Sequence, residues 1–301
     1  MWRKSKAVRP GDRVGIFFPS SPIKEPYYSR GLRELQRLGF RTTAATPVSR
    51  RGFLAKDPVQ TVEDIRCFLA DPGIKILWAG RGGYGANYLY PLLARLRLGK
   101  PKAFIGSSDV SYLLWHLLDR RGLTVFYGPL VFSSLAEGRY NRESLLRVLA
   151  GENVGSVIPG KTLRPGKATA PLHGGCLSVL VSLLGTRHFP KLAGKLVIIE
   201  DVNEKPYRLD RMLWQLAQAG VLRRAAGLLF GEFPGCFASA ADQRGFFREF
   251  LLRHGELTCP VLYDLPLGHA ADCHTVALGT RAGIDSARYA GLQVLEAGVA
   301  K

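Results

Sequence analysis

Short apolar segments alternate with amphipathic segments through the first half of this sequence, and that alternation limits the possible folds more than any other feature. Strands are predicted where the apolar runs are short, at residues 13–18, 74–79 and 103–105. Helices are predicted between and after them, at residues 28–38, 61–69, 86–96 and 110–118. Alternation of this kind predicts a mostly parallel, doubly wound sheet of the α/β class.

After Gly128-Pro129 the pattern becomes less regular, and a segment rich in turn residues follows. We therefore predict an N-terminal α/β domain at residues 1–150, a linker at residues 151–164 and a C-terminal domain at residues 165–301. The C-terminal domain is predicted to be a β-rich α+β unit. Its strands are expected at residues 196–199 and 227–230, and its helices at residues 176–184 and 209–219.

The formal net charge of +18, with 42 Lys and Arg against 24 Asp and Glu, requires that a polyanionic partner be considered. The basic residues are spread along the chain without a long run, which argues against a nucleic-acid surface. Positive potential of this kind suits the capture of a small acidic substrate. No apolar stretch reaches the length of a membrane span, so we expect no membrane partner.

The five cysteines are scattered and form no C-x-x-C pair, which argues against a disulfide framework and against a zinc site. The basic start of the sequence is not followed by an apolar segment, so a cleaved signal peptide is not expected. Both observations favour a cytoplasmic location.

Ser108 lies in the segment KAFIGSSDVS, residues 102–111, in which a predicted strand leads through a glycine turn into a helix. A hydroxyl at such a helix N-terminus shares its space with backbone N–H groups, which suits a nucleophile and the oxyanion that it generates. A plain N-cap serine is the alternative interpretation. The segment lacks the closing glycine of G-x-S-x-G, so an ordinary α/β-hydrolase is not indicated.

The glycine-rich segment AGRGGYG, residues 79–85, follows a predicted strand and could lay backbone N–H groups against a reacting carbonyl. A tight turn that needs positive φ is the alternative. The segment is neither a G-x-G-x-x-G motif nor a P-loop, so a nucleotide cofactor is only weakly supported.

Glu200 stands at the end of the predicted strand 196–199 and could orient a histidine by accepting its N–H. A salt bridge to a nearby arginine is the alternative role for Glu200. Among the six histidines, His269 is flanked by turn residues in a predicted loop, where a general base is commonly found, and His274 is its rival. His173, beside two glycines, could line a substrate cleft.

Together these segments resemble the LD-carboxypeptidase family of serine peptidases, which includes muramoyltetrapeptide carboxypeptidases and microcin C immunity peptidases. The resemblance runs nearly from end to end, with five motifs in the family's order. The motifs are GDRV through PSSP at residues 11–22, RGGYG at 81–85, PK with GSSD at 101–109, LVIIEDVNEKPYRLDR at 196–211 and PLGH at 266–269.

The resemblance implies a triad of Ser108 as nucleophile, His269 as general base and Glu200 as orienter. It also implies an oxyanion hole made of the Asp109 backbone N–H and one N–H from Gly82 or Gly83. An active site between the two domains, a homodimer and the absence of metal and cofactor are further implications of the resemblance.

The implied reaction is hydrolysis of the amide between an L-centre and a terminal D-amino acid, as in the release of D-alanine from murein tetrapeptides during cell-wall recycling. The substrate would be a small peptide with a free carboxylate. The residues predicted to bind it are Arg81, Tyr84, His173 and Arg208, and the two arginines could hold its carboxylate.

Three positions depart from the family pattern and leave the substrate open. Ser107 stands where many relatives have an aromatic residue, Tyr127 where histidine is frequent, and Cys176 where asparagine usually follows the paired glycines. A peptidase acting on peptidyl nucleotides is therefore an alternative. A basic ligand-binding or nucleic-acid-binding protein with a degenerate site is an alternative of another class.

Overall fold

The structure is a computed structural model, and it describes residues 2–45 and 52–300. Within these residues the strands are β1 Arg13–Phe17, β2 Arg41–Ala44, β3 Ile74–Ala79, β4 Ala103–Gly106, β5 Val125–Tyr127, β6 Val157–Pro159, β7 Lys161–Arg164, β8 Lys167–Cys176, β9 Leu196–Glu200, β10 Gly227–Gly231, β11 Val261–Leu265, β12 Val276–Leu278, β13 Arg281–Asp285 and β14 Gly291–Val294. The α-helices are α1 Tyr27–Arg37, α2 Pro58–Ala70, α3 Tyr90–Leu93, α4 Ser111–Arg121, α5 Arg142–Ala150, α6 Leu177–Ser182, α7 Pro206–Gln218 and α8 Ala240–Arg253.

The chain folds into two compact units that are discontinuous in sequence. The first unit contains residues 1–153, 272–279 and 297–301, and the second contains residues 154–271 and 280–296. The sequence predicts a single division at residues 151–164. It does not predict that residues 272–279 and 297–301 return to the first unit. Strand β12 belongs to the first unit because it pairs with β5 along the edge of the first sheet, and such long-range pairing leaves no local signal in a sequence.

The first unit is built on a six-stranded sheet in the order β12-β5-β4-β3-β1-β2. Its strands β1 to β5 are parallel, and only β12 runs antiparallel. The strand order reverses between β1 and β3, and ligands of open α/β sheets bind outside the carboxyl ends of strands at such a switch point. The segments that follow β1, β3 and β4 are therefore the expected site of this unit.

The second unit is built on an eight-stranded sheet in the order β6-β14-β13-β8-β9-β10-β11-β7. Its four central strands, β8 to β11, are parallel, and antiparallel strands flank them. Strands β9 and β10 are fully buried, which matches their continuous apolar sequences. The mixed α/β class predicted from the sequence is confirmed.

Helix boundaries follow the local capping chemistry. The predicted helix 86–96 is instead a short 3₁₀ turn, Ala86–Leu89, followed by α3. Pro91 explains the break, because a proline has no N–H to continue a helix and fits only its first turn. Helix α7 begins at Pro206, earlier than residue 209 as predicted, and Pro206 also lies in a first turn. Helix α4 ends at Gly122, which adopts the left-handed conformation.

Candidate active site

Ser108 lies on a sharp turn between β4 and α4 in the first unit. Its φ is +55°, which is unusual for a residue other than glycine and places the turn under backbone strain. Ser107 before it is extended, and residues 108–110 form a 3₁₀ turn that runs into α4. The Ser108 N–H faces the hydroxyl of Tyr127, with 3.4 Å between the nitrogen and the oxygen. The predicted strand, turn and helix context of Ser108 is therefore present.

The glycine segment after β3 packs directly against Ser108. A methyl group added at Gly82 would lie 3.0 Å from Ser108 Cβ and 3.2 Å from its Oγ, so a side chain there would press on Ser108. Gly83 has a φ of +105°, and an added methyl there would collide with the side chain of Ser21. The structure thus brings the predicted oxyanion segment, Gly82 and Gly83, to the predicted nucleophile.

Asp109 follows Ser108, and its side chain is 2% exposed. Its Oδ2 accepts the Ser20 hydroxyl at 2.6 Å and the Ala86 N–H at 2.8 Å. Burial raises the pKa of the Asp109 carboxyl above its usual range, although these hydrogen bonds act in the opposite direction.

Glu200 and His269 form a hydrogen-bonded pair in the second unit. His269 Nδ1 lies 2.6 Å from Glu200 Oε2, and the His269 backbone N–H donates to the same oxygen at 3.2 Å. The Glu200 side chain is 0% exposed, whereas that of His269 is 18% exposed. A buried carboxylate that accepts the Nδ1 proton of a histidine leaves Nε2 free of that proton, which is the state a general base requires.

The parallel strands explain how Glu200 reaches His269. Glu200 is the last residue of β9, His269 lies just beyond β11, and β10 runs between these two strands. Gly231 ends β10, and a methyl group there would lie 2.8 Å from Glu200 Cβ. Gly268 has a φ of +78°, and a methyl group there would lie 2.2 Å from Glu200 Cδ. Two glycines therefore make the space that the Glu200 side chain occupies.

The rival histidine is in a different environment. His274 belongs to the first unit, and its nearest described carboxylate is that of Asp272, with 3.9 Å between Nε2 and Oδ2. Burial lowers the pKa of His274 below its usual range. Glu200 is paired with His269, which favours His269 as the base.

The residues predicted to bind substrate are spread over both units. Arg81 is half-buried and donates to the Pro22 carbonyl, and Tyr84 is 46% exposed. In the second unit, Arg208 is exposed and pairs with Glu204 at 3.3 Å. His173 is fully buried in β8, and its Nδ1 accepts the Gly174 N–H. The binding roles of all four stay predictions.

Cys176 is buried beside the carboxylate of Asp201, with 3.7 Å between Sγ and Oδ1. Burial raises the pKa of its thiol well above the usual range, which disfavours the thiolate form that acts as a nucleophile. Asp201 caps the start of α6 by accepting the Ser178 N–H at 2.8 Å.

Sequence reasoning missed the residues that support the site. Ser20, which donates to Asp109, and Gly231 and Gly268, which make room for Glu200, carry no local signal of these roles. Tyr127 stands out in the sequence only as a departure from the family pattern, without a signal of its contact with Ser108. The partners of these four residues lie 89, 31, 68 and 19 positions away in the chain, so only the fold brings them together.

Residues 2–45 and 52–300 contain no group of three or more His, Cys, Asp or Glu side chains arranged to hold a metal ion. No helix of the described chain has the length and apolar character that crossing a membrane requires.

Comparison with known proteins gives a consistent result. The family model for the LD-carboxypeptidase N-terminal domain matches residues 14–128, and the model for the LD-carboxypeptidase C-terminal domain matches residues 169–284. The murein tetrapeptide carboxypeptidase of Pseudomonas aeruginosa is 31% identical over 92% of this chain and 94% of its own length.

Two solved structures are also similar. Muramoyltetrapeptide carboxypeptidase from Oxalobacter formigenes aligns with a TM-score of 0.79 at 27% identity, over 93% of this chain and 96% of that one. The protein MccF in complex with glutamyl sulfamoyl guanosine aligns with a TM-score of 0.86 at 21% identity, over 99% of each chain. At that identity the second likeness concerns the fold alone.

Proposed function

Because this chain belongs to the LD-carboxypeptidase family, it is a carboxypeptidase of the serine type, and we propose that it releases D-alanine from murein tetrapeptides. The bond cleaved would be the amide between an L-centre and the terminal D-amino acid. The observation that carries the proposal is the buried Glu200 carboxylate 2.6 Å from His269 Nδ1. A histidine held in this tautomer supports a strained serine such as Ser108 as nucleophile.

In the proposed reaction, Ser108 Oγ attacks the carbonyl carbon of the scissile amide, and His269 Nε2 takes the hydroxyl proton. The carbonyl oxygen becomes an oxyanion that the N–H groups of Asp109 and the Gly82-Gly83 segment stabilise. When the tetrahedral species collapses, the carbon–nitrogen bond breaks, and His269 returns the proton to the amine of the departing D-alanine. The peptide is then bound to Ser108 as an ester.

Deacylation repeats these steps with water. His269 takes a proton from the water while the water oxygen attacks the ester carbonyl. The second oxyanion that forms accepts hydrogen bonds from the same N–H groups. Collapse of this species breaks the bond to Ser108 Oγ, which receives the proton from His269. The shortened peptide is released as a carboxylic acid, which loses its proton to the solvent. Ser108 lies in one unit and His269 with Glu200 in the other, so the proposal requires both units in one functional molecule.

We propose that a cation recognises the free carboxylate of the terminal D-residue. Arg81 follows β3 and is adjacent to the Gly82-Gly83 segment, which makes it the first candidate, and Arg208 is the second. Arginine suits this role because its guanidinium group can bind a carboxylate through two parallel hydrogen bonds. The family resemblance also supports a cytoplasmic homodimer without metal or cofactor as part of the proposal.

The proposal is tested by measuring the release of D-alanine from a purified murein tetrapeptide by the wild type and by Ser108→Ala. Ser111→Ala is the matched control, because Ser111 begins the following helix and its buried hydroxyl has no hydrogen-bond partner among the described residues. We expect release by the wild type and the control, none by Ser108→Ala, and none from a tetrapeptide ending in L-alanine. Equal release by Ser108→Ala would contradict the proposal.

A peptidyl nucleotide is the second substrate to supply in the same assay. Cleavage of that compound by the wild type, without release of D-alanine from the tetrapeptide, would keep Ser108 as nucleophile and replace murein as the substrate class. Cleavage of neither compound, combined with DNA binding that falls steeply with salt and is unchanged in Ser108→Ala, would indicate the binding role instead.

A further inference from the structure

We propose that the side-chain carboxylate of Asp109 is a positioning residue that holds the Gly82-Gly83 segment in place against Ser108. This role is separate from that of its backbone N–H, and it rests on the proposed function for the identity of Ser108 as nucleophile. The inference concerns which group fixes the geometry of the oxyanion hole.

The Asp109 carboxylate connects three segments that follow neighbouring strands. It accepts the Ser20 hydroxyl after β1 and the backbone N–H of Ala86 after β3, while Asp109 itself follows β4. These are the segments at the carboxyl edge of the first sheet, next to the switch point between β1 and β3. The buried Asp109 side chain therefore links the segments after β1 and β3 to the segment after β4 that carries Ser108.

Ser21 makes a second set of hydrogen bonds to the glycine segment. The Ser21 N–H donates to the Gly82 carbonyl at 3.2 Å, and the Tyr84 N–H donates to the Ser21 hydroxyl at 3.1 Å. The glycine segment is thus held at Gly82 and Tyr84 by Ser21, and at its end, at Ala86, by Asp109. Movement of the Asp109 carboxylate would release the segment at both ends, because Ser20 adjoins Ser21.

The segment has little freedom to shift without consequence for Ser108. The position of a Cβ at Gly82 lies only 3.0 Å from Ser108 Cβ, so the Gly82 backbone packs directly against the Ser108 side chain. Donors of an oxyanion hole act only when they point at the position where the negative charge develops. A displacement of the glycine segment therefore weakens them.

A purely structural role for Asp109 does not fit its surroundings. Asp109 is 2% exposed, and among the described residues its carboxylate accepts from the Ser20 hydroxyl and the Ala86 N–H, with no Lys or Arg donor. Burying a charge without a cation is unfavourable for folding. Asp57, by comparison, caps α2 from an exposed position by accepting the Val59 N–H.

The test compares Asp109→Ala and Asp109→Asn with the wild type, and Asp57→Ala is the matched control that removes a structural carboxylate. Two assays are run: kcat and KM are measured for release of D-alanine, and mass spectrometry follows the rate at which a fluorophosphonate labels Ser108. The phosphoryl oxygen of this probe occupies the position of the oxyanion, and the probe contains no peptide. The labelling rate therefore reports the oxyanion hole without dependence on the peptide substrate.

We expect Asp109→Ala to lower kcat and the labelling rate by about 100-fold, the size of effect seen when one oxyanion donor is lost, with KM nearly unchanged. Asp109→Asn keeps one acceptor oxygen and should restore part of both rates. Asp57→Ala should lower the unfolding temperature and leave both rates per folded molecule at the wild-type value. Both rates at the wild-type value in folded Asp109→Ala would overturn the inference.

If Asp109→Ala does not fold, Ser20→Ala tests the same inference. It removes the hydroxyl that donates to Asp109 and leaves the hydrogen bond from the Ala86 N–H in place. Its labelling rate should fall several-fold, and an unchanged rate would overturn the inference. Failure of the proposed function looks different. In that case the wild type itself would not be labelled at Ser108 or would not release D-alanine, whereas failure of the inference alone leaves both activities intact in the variants.

Discussion

The space beside Glu200 provides the sharpest test of how the fold positions the Glu200–His269 pair. Gly231→Ala adds a single methyl group at the end of β10, where its carbon would lie 2.8 Å from Glu200 Cβ and 3.0 Å from the Leu267 carbonyl oxygen. Non-bonded carbon atoms pack at about 3.5 to 4.0 Å. The Glu200 side chain must therefore move by about 0.7 Å or more, since the Leu267 backbone blocks the other direction.

This displacement acts directly on the pair of Glu200 and His269, whose atoms are 2.6 Å apart. A misplacement of about 1 Å in catalytic machinery can lower a rate by about 100-fold, so we expect kcat to fall by roughly that factor. KM should change little, because neither residue is predicted to hold the substrate. Overpacking should also lower the free energy of unfolding by about 1 to 3 kcal/mol.

The assay is steady-state release of D-alanine, with urea unfolding measured on the same samples. Gly245→Ala is the matched control, because a methyl group there meets no atom within 4 Å. In the middle of α8, that change should raise stability by about 1 kcal/mol and leave kcat unaltered. A folded Gly231→Ala enzyme with the wild-type kcat would refute the argument that Gly231 makes room for Glu200.

Further predictions concern charge and pH. Glu200→Gln should lower kcat by about 1,000-fold or more, because an amide no longer favours the required tautomer of His269. Glu204→Gln is the control and should leave kcat unchanged. The measurement is kcat for release of D-alanine from the tetrapeptide. Arg81→Ala should raise KM at least about tenfold if Arg81 holds the terminal carboxylate, and an unchanged KM would remove it from that role. Burial raises the pKa of Asp109 in the folded protein, so its contribution to stability is greatest below the ordinary carboxyl value and is lost as pH rises through the raised one. The wild type should therefore lose more stability than Asp109→Asn as pH rises above the ordinary carboxyl pKa of about 4 in urea unfolding, and a parallel response would contradict that direction.

The family and the α/β class could be predicted from the sequence because their signals are local. The segment around Ser108 combines an apolar strand, a glycine and an amphipathic helix within ten residues, and periodicity alone defines these elements. The family models that match most of the chain confirm the resemblance. Glu200 was recognised as a site candidate because it ends a continuous apolar strand, and strand ends are where sites gather.

The supporting contacts could not be predicted because each joins distant parts of the chain. Asp109 meets Ser20 across 89 positions, and Glu200 meets His269 across 69. The sequence gives no reason for Gly231 to differ from any other glycine in a strand, since its role depends on β10 lying between β9 and β11. The return of β12 to the first sheet is likewise a long-range pairing.

The central claim, a covalent mechanism through Ser108, is tested most directly by trapping the ester intermediate. The wild type is quenched in acid during turnover of the tetrapeptide, digested and mapped by mass spectrometry. The account predicts the mass of the shortened peptide acyl group on the fragment that carries Ser108, and its absence in Ser108→Ala. An acyl group found on a different residue, or turnover by Ser108→Ala at the wild-type rate, would contradict it.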